Sequence, residues 1–268
     1  MKKWTIFVCV LSLLLSMAGC GAEDAEDNEI TVDKMLLCYY HECCEVNTTG
    51  MESTDRGVEI GLKIENLYNR ELQVKSRALS VNGYMLPNSG LDAIVSAGET
   101  ARDVLYLSAA DLAKAGIDTV AEISFGLDFY DADMGVILEQ SAMMNLHTTA
   151  PMDYVQPMYD AGEVILAEND LRVVYKGLRT DEIWDGELVF HFDNGLHKDV
   201  TFYVENLAVN GIAMDKPLHQ KLSAFTKCVD GVPMEEPGDV EIIEFTLRAV
   251  DNYGKELAST ETITLNVK

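Results

Sequence analysis

Side chains able to do chemistry are concentrated in a few places. Cys38-x-x-His41-x-Cys43-Cys44 puts three thiols and an imidazole into one short segment, and zinc takes donors of these kinds. Structural zinc sites, however, usually draw their ligand pairs from separate loops. If the segment is extended, the adjacent Cys43 and Cys44 point to opposite faces. The spacing therefore predicts a local disulfide or plain buried thiols, with a metal-responsive site as the alternative. Cys228 stands far along the chain and brings the thiols of the body to four, which allow three disulfide pairings. Asp128, Asp131 and Asp133, followed by Gly135, suggest a calcium loop, but the glycine comes too early for an EF-hand register. Asp251-Asn252-Tyr253-Gly254 occupies the matching place later in the chain, which points to turn chemistry rather than to an ion.

Trp184 sits in the polar stretch Thr180-Asp181-Glu182-Ile183-Trp184-Asp185-Gly186. An exposed indole there would stack on a sugar or seat a partner protein. The expectation is instead that it folds over the end of a core, since tryptophans are mostly buried. Of His41, His147, His191, His197 and His219, none belongs to an HExxH pair or accompanies a Gly-x-Ser-x-Gly elbow. His191 falls on the polar face of its strand and is expected to face solvent. No glycine loop cradles a phosphate. The sequence thus predicts no enzyme and no cofactor. The alternative is an accessory domain or weak hydrolase using loop carboxylates.

The charge balance narrows the partners. The chain has 20 basic and 45 acidic residues, a net charge of −25. Without residues 1–19, which include Lys2 and Lys3, 18 basic residues face 45 acidic ones, giving −27. That argues against nucleic acid, whose binding rests on Lys and Arg neutralising phosphates. It also argues against a body lying flat on an anionic bilayer.

Lys2 and Lys3 open the chain, and Trp4 to Leu15 form an apolar run broken only by Thr5 and Ser12. Small residues then precede Cys20. This order describes a secretory signal, and the run falls short of the about 20 apolar residues a spanning helix needs. Met17-Ala18-Gly19-Cys20 resembles the lipobox of bacterial lipoproteins, with Met17 where that family usually has Leu. The resemblance implies cleavage before Cys20, diacylation of its thiol, and anchoring on the outer face of the cell membrane. Residues 20–29 are small and acidic, with no large apolar side chain until Ile30. Such a segment suits a flexible tether.

The elements that must position these groups are revealed by a repeat. Ile60 to Leu86 aligns without a gap on Leu188 to Met214 at an offset of 128. Asn66 falls on Asn194, Leu79 on Leu207, and Val81-Asn82-Gly83 on Val209-Asn210-Gly211. Phe125-x-Leu127 and Asp131 match Phe245-x-Leu247 and Asp251 at an offset of 120, so the second copy has lost eight residues in between. Each copy alternates apolar and polar residues, as in Val58, Ile60, Leu62 and Ile64, the signature of half-buried strands. Asn-Gly between apolar runs is a strong hairpin signal. One helix is predicted, from Ser108-Ala109-Ala110-Asp111, which resembles a capping box, to a stop at Gly116. The second copy is read as lacking it, and that loss as accounting for the eight missing residues.

The fold expected is all-β, two tandem antiparallel immunoglobulin-like β-sandwich domains with one short helix in the first. The divisions are a signal at 1–19, a tether at 20–29, sandwiches at 30–149 and 163–268, and a linker at 150–162. Val173-Val174-Tyr175-Lys176-Gly177-Leu178, Asn194 and Val209-Asn210-Gly211 resemble the immunoglobulin-like repeats of uncharacterised surface lipoproteins from anaerobic Gram-positive bacteria. That resemblance implies a fold and a location but no activity. The function expected is a membrane-anchored, non-catalytic binding or structural module, with a surface protein or glycan as its partner.

Overall fold

The computed structural model describes residues 30–158, 160–215, 217–234 and 240–267. The signal segment, Cys20 and the tether lie outside them. Alternation of apolar and polar residues does produce strands throughout. The opening elements are β1 (Leu37–His41), β2 (Cys44–Thr54), β3 (Gly57–Asn66), β4 (Leu72–Val81) and β5 (Tyr84–Met85). They are followed by β6 (Asp92–Val95), β7 (Thr100–Ser108), α1 (Ala109–Lys114), β8 (Glu122–Asp131), β9 (Val136–Gln140) and β10 (Met144–His147). The second series comprises β11 (Glu163–Glu168), β12 (Leu171–Arg179), β13 (Glu187–Asn194), β14 (Val200–Val209) and β15 (Ile212–Ala213). It ends with β16 (Leu218–Leu222), β17 (Lys227–Pro233), β18 (Ile242–Asp251), β19 (Glu256–Ser259) and β20 (Ile263–Asn266).

The ten strands of each series pair in the same order. One sheet is β1-β2-β3-β7 in the first and β11-β12-β13-β17 in the second. The facing sheet is centred on β4 and β8, matched by β14 and β18. Ile60, Leu62 and Ile64 of β3 are fully buried, and the residues between them are half-exposed. Leu188, Phe190 and Phe192 hold the same places on β13. The result is two antiparallel β-sandwiches. Two buried clusters follow, one dominated by Phe125 and Phe129, the other by Phe190, Phe202 and Phe245.

Shared residues explain why the register repeats. Asn82 (φ 50°) and Gly83 (φ 82°), like Asn210 (φ 50°) and Gly211 (φ 77°), adopt the left-handed conformation that a type I′ hairpin turn demands. The Asn82 carboxamide oxygen also accepts from the backbone N–H groups of Ala121 and Glu122, and Asn210 does the same for Glu241 and Ile242. Asn66 is fully buried. Its amide donates to the carbonyls of Arg70, Val95 and Ser96 while its oxygen accepts from Tyr68 N–H. Asn194 repeats this with Lys198, Leu222, Ser223 and Leu196. Each asparagine therefore ties together backbone groups that would otherwise be buried without partners. The repeat extends to a bulge between β4 and β8 and between β14 and β18, where Ala78 and Asn206 both have φ 54°.

Two local expectations are corrected. α1 forms and ends on Gly116 (φ 65°), with Ile117 N–H bonded to Leu112 O and Gly116 N–H to Ala113 O, the Schellman pattern. Its start is not a capping box: Ser108 makes no side-chain cap. Asp111 instead accepts from Asn88 N–H, the Asn88 amide and the Ser89 hydroxyl. The eight-residue contraction is also divided. Val95 and Val104 correspond to Leu222 and Gly231 through their pairing with Leu72 and Gly61, or Val200 and Val189. One residue is therefore lost before β6, and the other seven between β7 and β8, the connection that contains α1. Its counterpart in the second series runs partly through residues 235–239, outside the described residues.

Candidate functional site

The two sandwiches meet along a buried seam, and two of the residues singled out from the sequence, His191 and Trp184, lie on it. β5 of the first series pairs in parallel with β17 of the second at Tyr84 and Lys227, and Lys227 N–H donates to Gly83 O at 2.8 Å. This contact joins β4 and β8 to β13 and β12 in one ten-stranded sheet. The Asn-Gly hairpin turn of the first sandwich is thus the docking element. Gln156, in the segment between β10 and β11, braces it by accepting from the Asn82 amide and donating to Gly116 O.

His191 lies at the centre of this seam, not in solvent. It is fully buried, flanked across β12 and β17 by Val174 and Val229. Its ring meets Tyr84 edge-on at 5.9 Å. Alternation correctly put it on the outer face of its sheet, but the first sandwich covers that face. Neither ring nitrogen has a hydrogen-bond partner. Burial, reinforced by the positive charge of Lys176, pushes its pKa down to about 4, so it is neutral at pH 7.

Trp184 is 4% exposed and packs into the first sandwich's core cluster together with Val189 and Val229. It closes a core, as expected, but the core belongs to the neighbouring repeat. The Lys114 ammonium lies 4.6 Å from its ring centroid and bonds both carboxylate oxygens of Glu187 at 3.0 and 3.1 Å. Indole, ammonium and carboxylate therefore lock α1 to the start of β13. A pocket of about 250 Å³ beside Trp184 is lined by Lys114, Lys176 and Arg179 among others. Elsewhere along the junction, a groove of about 470 Å³ runs between Arg77, Ser80, Ser124 and Met85 on one side and Asp199, Lys221 and Thr226 on the other.

The remaining candidates are accounted for locally. Asp128 accepts from Arg77 Nε at 2.7 Å and from Gln140. Asp131 is fully buried and takes Arg70 at 3.2 Å and Met134 N–H at 3.0 Å. Asp251 repeats the arrangement with Lys198 and Tyr253 N–H. These carboxylates serve turns and ion pairs, and Asp133 is an exposed member of the same turn. Cys38, Cys43, Cys44 and Cys228 are free thiols, all but Cys38 buried, the plain-thiol arrangement of the two that the spacing allowed. Cys43 lies in the β1–β2 turn rather than in extended chain, so it shares no strand face with Cys44. Among the described residues no three His, Cys, Asp or Glu side chains are placed to hold one ion. Burial pushes the Cys38 thiol to about 11 and Cys44 to about 12. The carboxyls that burial raises, Asp193 and Asp230, sit on different strands opposite Lys227 and Phe190.

What the sequence did not reveal is the seam. The one available signal was the Val-Asn-Gly turn itself, which marks a hairpin in both repeats and, among the described residues, pairs with the other sandwich in the first. Comparisons add little. No protein-family model matches the chain, and no curated protein is similar to it. Among solved structures it is similar to red sea bream transglutaminase at 12% identity, over 78% of this chain and 29% of that one, with a TM-score of 0.21. An overlap that low carries no argument about activity.

Proposed function

We propose that the chain is an extracytoplasmic lipoprotein, tethered by acylated Cys20, whose two sandwiches act as one stiff, non-catalytic module that engages a partner at the cell surface. The observation that carries the module reading is the seam. A jointed pair of domains keeps a small polar interface, whereas here Trp184, Val189, His191 and Val229 are buried against the other repeat. The tether reading rests on the lipobox-like Met17-Ala18-Gly19-Cys20 and the acidic stretch after it. An enzyme reading finds less support, because Asp128, Asp131, Asp181 and Glu205 are each engaged by a cation.

Intact mass of the membrane fraction, beside a Cys20→Ala form, tests the tether. A product beginning at Cys20 with added acyl chains, absent in the variant, is expected. An unmodified soluble product from both forms would remove the anchor and return Cys20 to the free thiols.

A further inference from the structure

The β1–β2 hairpin carries an arrangement that the module reading does not use. Its turn is Glu42-Cys43, closed by the pair His41 and Cys44. The Cys43 thiol lies 3.6 Å from His41 Nδ1, and on the far side of the ring His41 Nε2 lies 3.7 Å from a Glu139 carboxylate oxygen on β9. A carboxylate there favours the tautomer with its proton on Nε2, which leaves Nδ1 as an acceptor facing the sulfur. Tyr39 stacks on His41 at 6.3 Å and on Phe129 at 4.8 Å, so a core aromatic fixes the stack that holds the imidazole. Among the described residues no other thiol meets an imidazole: Cys43 keeps 8% of its surface exposed, Cys44 and Cys228 keep none, and Cys38 points its thiol at Leu36 O.

We propose that Cys43 is a nucleophilic thiol that exchanges with small disulfides, with His41 as its base. Burial and the nearby Glu139 charge raise the Cys43 thiol above its ordinary value, so it is held as thiol and needs a base at the moment of attack. In the step, Cys43 Sγ attacks one sulfur of a low-molecular-weight disulfide while its proton passes to His41 Nδ1. The S–S bond of the reagent breaks, Cys43 becomes a mixed disulfide, and the departing thiolate takes the proton from His41. One disulfide and one thiol are consumed, and one of each is formed. The half-exposed imidazole marks the side open to a small reagent, since His41 has 43% of its side chain exposed.

The test treats the full-length chain with hydroxyethyl disulfide and follows each cysteine by peptide mass. Cys43 is expected to be modified before Cys38, Cys44 and Cys228, and Cys43→Ser to lose that fast phase. General-base assistance is typically worth about 10²–10⁴-fold, so His41→Ala should slow the reaction by about a hundredfold or more, and added free imidazole should restore part of the rate. A ring that merely shields the sulfur would give the opposite result, faster modification of His41→Ala, and would overturn the proposal. So would earlier modification of Cys38 or Cys44 in the unaltered chain, a result that needs no variant to fold.

Discussion

His191 makes the seam testable by pH. Its ring is buried and neutral, without a hydrogen-bond partner on either nitrogen, and its pKa falls from 6.5 to about 4. In the unfolded chain the imidazole takes up its proton near pH 6.5; in the fold it does so only near 4. Between those values the unfolded state binds more protons, so His191's contribution to stability is fully present above pH 6.5 and is lost progressively as pH falls through 4. The shift corresponds to about 3 kcal/mol. Lys176, Lys227 and Arg172 push the same way and Asp160 opposes them. Asp193 and Asp230, with raised pKa values, act with opposite sign, since the strain of keeping them charged is relieved as pH falls. A variant isolates the histidine from these. His191→Met puts an apolar side chain of similar size in its place and removes two unpartnered ring nitrogens, and leaving a polar group buried without a partner costs about 1–3 kcal/mol. At pH 7 it should be more stable than the parent by about 1–3 kcal/mol, and the gap should widen by about 3 kcal/mol by pH 4. Denaturant unfolding at several pH values, read by the fluorescence of Trp184 in the same seam, measures both. If the two stability curves run parallel from pH 7 to pH 4, His191 is not the buried neutral group described, and the seam argument fails with it.

The paired asparagines and the left-handed alanine give two further predictions. Asn66→Ala and Asn194→Ala should each lower unfolding free energy by about 3 kcal/mol, because buried carbonyls lose their donor; a loss below about 1 kcal/mol in chemical denaturation would mean water replaces the amide. Ala78 holds φ 54°, where an alanine costs about 1–2 kcal/mol that asparagine tolerates better. Ala78→Asn, copying Asn206, should therefore raise stability by up to about 1 kcal/mol, and a lower thermal midpoint would contradict the equivalence of the two bulges.

The sequence by itself determined the local and the repeated. Alternation at Val58–Ile64 and Ile243–Ala249 assigned strands because a half-buried sheet has only two faces. Asn82-Gly83 and Asn210-Gly211 assigned hairpins because few residues tolerate positive φ. The constant offset revealed the duplication, down to Asn66 and Asn194. Only the tertiary structure decided what covers each outer face. His191 and Trp184 carry no local mark of their surroundings: a polar-face histidine reads the same whether water or a second sandwich lies over it. The same limit applied to Cys43, whose reach to His41 depends on a turn and whose line to Glu139 depends on β9 arriving from almost a hundred residues away. Periodicity reports which way a side chain points, and packing between distant segments decides what it meets.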